Sequence, residues 1–251
     1  MKRIYISIDL AKRAIEDKDF LESLAFNVLI KWKYTSSTIN NATVRRCKGL
    51  FGMGSTRICR IIKNGLEYGL LERFGNHIIA KKIKKEGFNA VLEFASDKEY
   101  RISEVIDMIR NTVLLDHIRK QTFVVDTLRK AREPRNLKEY RAAKKILKRM
   151  PHLTEQNYSF GLSNRRIMEV TNVKRYRAKI LIRKLVAKGK VKAKEVIRET
   201  AIKPEAFTKD FRKWCKSTEM RGFLFLRKQD NVICCQLSNC YQYNCDDIKW
   251  I

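Results

Sequence analysis

The chain has 251 residues, of which 44% are apolar, enough for hydrophobic cores in one large domain or two modest ones. Lysine and arginine number 55 against 27 aspartate and glutamate residues, giving a formal net charge of +28. So large an excess predicts a polyanionic partner, with nucleic acid first and an anionic membrane surface second. No stretch approaches the roughly 18–20 uninterrupted apolar residues of a membrane span, and the N-terminal residues lack a signal-peptide pattern. We therefore expect a cytoplasmic protein.

The first predicted elements are a strand and a helix. Residues 3–10 place Ile4, Ile6, Ile8 and Leu10 on one face by strict alternation, which is typical of a half-buried strand. The hairpin predicted below at 70–80 is its candidate partner. Phe20–Ile30 then has the apolar periodicity of a helix.

Residues 43–67 predict two helices joined by a tight turn. Thr43 is a suitable N-cap for a short first helix, because its hydroxyl can accept a free backbone N–H. Gly52 favours the left-handed conformation that ends a helix, and Met53 suits the angle between the two helices. Cys47 and Cys59 fall at apolar or near-apolar positions and are expected to be buried.

The second helix of this pair has an apolar side and a polar, basic side. The apolar stripe consists of Ile58, Ile61, Ile62, Gly65 and Leu66. The opposite side carries Arg57, Arg60, Lys63 and Asn64. Downstream, Leu70–Arg73, the turn Phe74–Asn76 and His77–Ala80 predict a β-hairpin.

A long helix and a shorter one follow. Ser103 is the expected cap of a helix over Glu104–Lys130, which either packs two modules together or forms a dimer seam. Pro134 and Pro151 bracket another helical segment, Tyr140–Met150.

Residues 163–191 repeat the pattern of residues 43–71 at a constant offset of 120. Ser163 is equivalent to Thr43 and Asn172 to Gly52, so the cap and the turn are both repeated. The helical segment Tyr140–Met150 likewise lies 120 residues after Phe20–Ile30. The equivalent second helix has the stripe Ala178, Leu181, Ile182, Leu185 and Val186. Lys190–Ile197 alternates like the hairpin of the first copy but lacks a clear glycine turn.

The second copy is the more cationic. Ten of the 21 residues from Lys174 to Lys194 are Lys or Arg, and none is Asp or Glu. A basic helix face can serve solubility alone. Ordinary solvated helices mix both signs, however, so this density favours contact with a polyanion.

The C-terminal region predicts a short helix at Glu205–Lys216 and a hairpin formed by 222–226 and 231–235 through the loop Arg227–Asp230. Seven cysteines without a secretion signal are expected to be reduced. Four of them, Cys234, Cys235, Cys240 and Cys245, are weak metal candidates, because the paired C-x-x-C spacing of structural zinc sites is missing.

Catalytic motifs are not found. The three histidines are widely separated, which disfavours a metal-dependent relaxase or protease. The glycines of residues 49–54 lack the lysine of a phosphate-binding loop and are better explained by the helix turn. The H-x-x-R spacing of a tyrosine recombinase is absent as well. We therefore expect a protein that is not an enzyme and needs no cofactor. The alternative is an enzyme that holds a metal ion in the C-terminal tail.

On residues 20–83 and 140–200 the chain resembles the winged-helix DNA-binding superfamily. The resemblance implies a mainly α fold with small β-hairpins (α+β), in which the third helix of each module enters the major groove and the wing touches phosphates or the minor groove. The implied organisation is a first module with an N-terminal strand at 1–97, a helical connector at 98–135, a second module at 136–203 and a Cys-rich region at 204–251. The candidate DNA-contact residues are Arg45, Arg46, Ser55, Thr56, Arg57, Arg60, Lys63, Arg165, Arg166, Lys174, Arg175, Tyr176, Arg177, Lys179, Arg183, Lys192 and Lys194.

Tandem winged-helix proteins of this size resemble replication initiators of plasmids or phages and transcriptional regulators of mobile elements. The expected partner is duplex DNA, with a possible second copy of the chain bound through residues 104–130. The alternative is a structural protein that packages nucleic acid without sequence preference.

Overall fold

The computed structural model describes residues 1–83, 89–150, 162–195, 197–199, 203, 205, 208–211, 226–229, 232–236 and 240–244. The described chain is mainly helical with small antiparallel sheets, which confirms the α+β class. The helices are α1 (Ile8–Glu16), α2 (Lys18–Lys33), α3 (Val44–Phe51), α4 (Ser55–Glu67), α5 (Ile102–Arg132), α6 (Leu137–Arg149), α7 (Asn164–Thr171) and α8 (Arg175–Ala187). The strands are β1 (Lys2–Ser7), β2 (Thr38–Ile39), β3 (Leu71–Phe74), β4 (His77–Ala80), β5 (Asn89–Phe94), β6 (Val191–Lys194), β7 (Ile197–Glu199), β8 (Leu226–Gln229), β9 (Val232–Gln236) and β10 (Cys240–Tyr243).

The chain divides into two compact units. Unit 1 contains Met1–His117 and Met168–Arg183, and unit 2 contains Ile118–Ile167 and Lys184–Ile251. The division runs within α5, α7 and α8. The domain boundaries expected from the sequence stay a prediction.

Helix α2 is the centre of the core of unit 1. Every residue from Phe20 to Ile30 is buried, including the polar Glu22, Ser23 and Asn27. A helix that is buried on all sides needs partners for its polar groups. Asn27 meets part of this need by donating from Nδ2 to the carbonyl oxygens of Leu70 (2.6 Å) and Lys81 (3.1 Å), while its buried Oδ1 has no partner among the described residues. Helix α2 thereby holds both ends of the β3–β4 hairpin.

The predicted N-terminal strand is shorter than expected and has a different partner. It ends at Ser7, because Ile8, Ala11, Ala14 and Ile15 form the buried stripe of α1. Strand β1 pairs antiparallel with β5, with Ile4 opposite Leu92. The prediction that it joins the hairpin is wrong, since β2 occupies that place and the sheet order is β2-β4-β3.

Two further predictions in the first half need correction. Helix α5 begins at Ile102, so Ser103 lies inside the helix, and Glu104 Oε2 accepts from the backbone N–H of Arg101 (3.0 Å) in place of a serine cap. Cys47 is buried as expected, and burial raises the pKa of its thiol. Cys59 is exposed, because it lies outside the apolar stripe of α4.

The sheets of unit 2 form through non-local pairs. Strand β6 pairs with β10, with Val191 opposite Tyr243, and β7 pairs with β9. Strands β6 and β7 therefore do not pair with each other as β3 and β4 do, in keeping with the missing turn residues. Strand β8 runs through Gln229, which lies opposite Val232, so the loop expected at Arg227–Asp230 is mostly strand.

Several predictions fall outside the described residues. They include most of the helix at 205–216, residues 222–225 of the C-terminal hairpin, and Cys245. The side chain of Cys235 also lies outside the described part of the chain. Among the described residues, no helix combines the length and the apolar composition needed to cross a membrane.

The close packing of α4 on β3 can be tested at Gly65. A Cβ added at Gly65 would lie 2.5 Å from Cδ1 of the buried Leu71, whereas one at Gly49 in α3 would have no neighbour within 4 Å. Overpacking costs about 1–3 kcal/mol, while an exposed helical Gly→Ala change gains about 0.5–1 kcal/mol. We expect Gly65→Ala to lower the free energy of unfolding by about 1 kcal/mol and Gly49→Ala to raise it. Urea denaturation of both variants checks this, and equal stability of the two would contradict the packing described.

Candidate nucleic-acid interface

The two predicted helix pairs have the same local geometry at their caps and turns. Thr43 Oγ1 accepts from the backbone N–H of Arg46 (3.2 Å), and Ser163 Oγ accepts from that of Arg166 (3.1 Å). Gly52 and Asn172 both adopt the left-handed conformation, with φ of 61° and 48°. The repeated cap and the repeated turn are therefore confirmed.

Helix α4 is anchored to α2 by a buried carboxylate. Glu22 is only 5% exposed. It accepts hydrogen bonds at Oε1 from Nη2 of Arg57 (2.8 Å) and at Oε2 from Nη2 of Arg60 (3.0 Å). A buried carboxylate needs such partners, because desolvating an unpaired charge is costly. Arg57 and Arg60 thus stabilise the module and have less charge available for a partner.

The remaining basic side chain of α4 also has an acidic neighbour. Lys63 Nζ lies 3.9 Å from Glu67 Oε1, and Asp19 Oδ1 lies 3.5 Å from Arg60 Nε. Ser55 and Thr56 at the start of the helix are exposed, as are Arg45 and Arg46 on α3. The surface of α4 therefore combines polar side chains with largely neutralised charge.

The β3–β4 hairpin presents an aromatic side chain that the sequence analysis placed only in the turn. Phe74 is 75% exposed next to Gly75, whose φ is 53°. Arg73 beside it is exposed as well. A single exposed apolar side chain is common on protein surfaces, so Phe74 by itself does not define a contact surface.

In α8 the arginine equivalent to Arg57 is also bound to a buried carboxylate. Arg177 donates to Oδ1 of Asp107 from Nε (2.9 Å) and from Nη2 (2.6 Å), and Asp107 is 2% exposed. The pKa of the nearby Arg110 is lowered, mainly because the side chain is buried. The positive charge of Arg177 lowers it further, whereas the negative charge of Asp107 acts in the opposite direction. Asn172 Nδ2 donates to the carbonyl oxygen of Ile15 (2.8 Å), at the C-terminal end of α1. The turn and the start of α8 are therefore fixed within unit 1.

The rest of the basic side of α8 is open. Lys174, Arg175, Lys179 and Arg183 are exposed, and Tyr176 is 79% exposed. Within the described part of the chain, none of these four cations has a carboxylate within 4.0 Å. Close packing of like charges favours a bound polyanion.

The other predicted contact residues are exposed too. Arg165 and Arg166 lie on α7, and Lys192 and Lys194 lie on β6. The predicted contact residues of α3, α4 and 174–183 belong to unit 1. Those of α7 and β6 belong to unit 2. On the apolar side, Ala178, Leu181, Ile182 and Leu185 are buried as expected, but Val186 is exposed.

The site offers no evident metal ligands. Among the described residues, no group of three or more His, Cys, Asp or Glu side chains could hold a metal ion. Cys234 is buried and Cys240 is half-buried.

Lys31 offers a test of how the hairpin is held. It donates from Nζ to the carbonyl oxygen of Lys81 (2.5 Å), and burial lowers its pKa from 10.5 to about 8. The unfolded chain therefore binds more protons than the folded one between about pH 8 and 10.5, so Lys31 makes stability rise with pH across this range. We expect Lys31→Met to remove this contribution, so that its stability relative to the parent is highest below pH 8. Urea titrations at pH 7 and pH 10 measure this, with the exposed Lys63→Met as the control for net charge, and an equal difference at both pH values would contradict it.

The Asp107 contact can be compared with a solvent-exposed one. Asp126 pairs with Arg129 (2.8 Å) and Lys130 (2.6 Å), and its side chain is 35% exposed. We expect Asp107→Asn to lower the free energy of unfolding by about 1–2 kcal/mol, because the half-buried Arg177 loses a charged acceptor. Asp126→Asn should cost less than about 1 kcal/mol, since exposed pairs contribute little. Chemical denaturation of both variants decides, and an equal loss in the two would refute an anchoring role for Asp107.

No protein-family model, no curated protein and no solved structure matches this chain.

Proposed function

We propose that this protein binds duplex DNA through two modules of the winged-helix type, at residues 20–83 and 140–200. The observation that carries the proposal is the open basic face of α8, in which Lys174, Arg175, Lys179 and Arg183 are exposed while Arg177 is paired with the buried Asp107. The duplicated cap and turn support a common fold for the two modules.

Affinity comes mainly from α8. Lysine and arginine side chains that neutralise phosphates release condensed counterions, which makes binding strong at low salt and weak at high salt. Lys179 and Arg183 lie one and two helical turns after Arg175 and are the phosphate contacts. Arg175 and Tyr176 lie at the start of the helix, where side chains reach base edges, and an arginine there can bind guanine with two hydrogen bonds.

The first module contributes selectivity more than affinity. Its arginines 57 and 60 are bound to Glu22, so less charge faces a partner. Ser55 and Thr56 remain as exposed hydrogen-bonding side chains at the start of α4, and Phe74 supplies an apolar contact from the hairpin. Two covalently joined modules also gain effective concentration on adjacent sites, so each can bind modestly.

The role that best suits such a protein is that of a replication initiator or a transcriptional regulator of a plasmid, phage or other mobile element. Both roles need recognition of specific, often repeated, duplex sites. Binding to random and to selected 30-base-pair duplexes across a salt series tests the proposal. A preference for selected sequences that persists at 0.2 M salt supports it, whereas equal affinity for all sequences with a steep salt slope would favour a packaging role.

Arg175 and Arg177 form a matched pair for a sharper prediction. Arg175→Ala should weaken binding to the selected duplex by about 1–3 kcal/mol if it contacts a base, and should leave thermal stability unchanged. Arg177→Ala should lower the melting temperature, because the buried Asp107 loses the hydrogen bonds from Nε and Nη2 of Arg177. Fluorescence anisotropy and thermal denaturation of both variants measure the two effects. The assignment fails if Arg175→Ala destabilises the fold and leaves binding intact.

A further inference from the structure

Helix α6 in unit 2 has a second cationic face that the contact residues above do not include. Five of its basic side chains recur at intervals of three, four, three and one residues, which places them on one side of the helix. These residues, here called the α6 stripe, are Lys138, Arg141, Lys145, Lys148 and Arg149. All five are exposed, and among the described residues none has a carboxylate within 4.0 Å. The buried residues of α6 are Ala143 and Leu147, on the opposite side.

The equivalent helix of the first copy does not carry the basic residues of the α6 stripe. Helix α2 is equivalent to α6 at the offset of 120. Four positions that carry stripe residues in α6 are occupied in α2 by apolar side chains that are at most 2% exposed: Leu21, Ala25, Val28 and Leu29. Four positions that are packed in the core of unit 1 in α2 therefore carry exposed cations in α6.

The α6 stripe has no compensating acid on its own helix. Glu139 is the only acidic residue of α6, and it is used at the helix start, where its Oε2 accepts from the backbone N–H of Arg135 (3.2 Å). Like charges three or four residues apart destabilise a helix slightly. A row of five without acidic neighbours is thus more stable when a polyanion supplies the counter-charge.

The geometry favours a phosphodiester backbone over a lipid surface. A helix that binds a membrane inserts an exposed apolar side next to its basic side. In α6 the exposed apolar side chains, Leu137 (61%) and Tyr140 (37%), lie at the start of the helix. Ala143 and Leu147 further along are buried, so no continuous apolar side is exposed beside the stripe. At 1.5 Å per residue the stripe is about 16 Å long, while phosphates follow one another every 3.4 Å along each strand of a duplex, so it can span several of them.

We propose that the α6 stripe is a separate phosphate-binding surface for the backbone of a nucleic acid. This inference rests on the proposed function for the class of partner, which is nucleic acid. It does not rest on the α8 surface, because the stripe lies on another helix. Its contacts are with phosphates only, so it adds affinity without sequence preference.

The test compares the salt dependence of binding in three full-length proteins with a 30-base-pair duplex. The stripe variant carries Arg141→Gln, Lys145→Gln and Lys148→Gln. The control carries Lys98→Gln, Arg129→Gln and Lys130→Gln, which removes the same charge from side chains already paired with Glu104 and Asp126. Three lost phosphate contacts should reduce the slope of log K against log salt by about 2–3 in the stripe variant. The control should change it by less than 1, and a stripe variant with Arg141→Lys, Lys145→Arg and Lys148→Arg should keep the parental slope.

The outcomes separate this inference from the proposed function. An unchanged slope in the stripe variant, or an equal fall in the control, overturns the inference. A variant of α8 with Lys174→Gln, Arg175→Gln and Lys179→Gln tests the proposed surface independently. If only the α8 variant loses binding, the proposed α8 surface is supported and the α6 stripe is overturned. If only the stripe variant loses binding, the α6 stripe is supported and the proposed α8 surface is overturned. Binding of the parent to phosphatidylserine vesicles but not to the duplex, lost in the stripe variant, would overturn both.

Discussion

Two buried carboxylates fix the helices on which the proposed activity depends. Glu22 holds Arg57 of α4, and Asp107 holds Arg177 of α8, although the acids come from different helices. Each acid is stabilised in the interior by its hydrogen bonds with arginine. Because Arg57 and Arg177 are equivalent positions of the repeat, both helices are held by the same side, and the side opposite the core stripe remains open to solvent.

The two copies share this arrangement but have diverged in charge. The position of Glu22 is occupied by Ala142 in the second copy, and that of Arg60 by Ile180. The first copy thus neutralises much of its basic charge internally, while α8 and α6 keep theirs exposed. Within the described part of the chain, the exposed cations of α6 and α8 that have no carboxylate within 4.0 Å are therefore the proposed phosphate contacts. This inequality supports a division between an affinity module and a discriminating module.

Local features of the structure could be predicted from the sequence, and non-local ones could not. The caps at Thr43 and Ser163 and the left-handed turns at Gly52 and Asn172 depend on a few adjacent residues, whose chemistry decides the backbone conformation. Strand partners are set by packing between distant segments, so the pairing of β1 with β5 and of β6 with β10 was missed.

The anchoring acids of the candidate site belong to the same non-local class. Glu22 is 35 residues from Arg57, and Asp107 is 70 residues from Arg177. No periodicity connects residues so far apart, and so a basic residue bound inward looks the same in the sequence as one that faces a partner. The apolar periodicity of α8 did predict its core side, because burial there is decided by the helix repeat itself.

The proposed DNA binding depends most directly on the open face of α8, which lysine acetylation footprinting with mass spectrometry examines residue by residue. The full-length protein is acetylated with and without a saturating duplex. DNA binding through α8 should protect Lys174 and Lys179 when the duplex is bound, while Lys98, which is paired with Glu104, should not change. Unchanged acetylation of Lys174 and Lys179 in a complex that protects other lysines would contradict it.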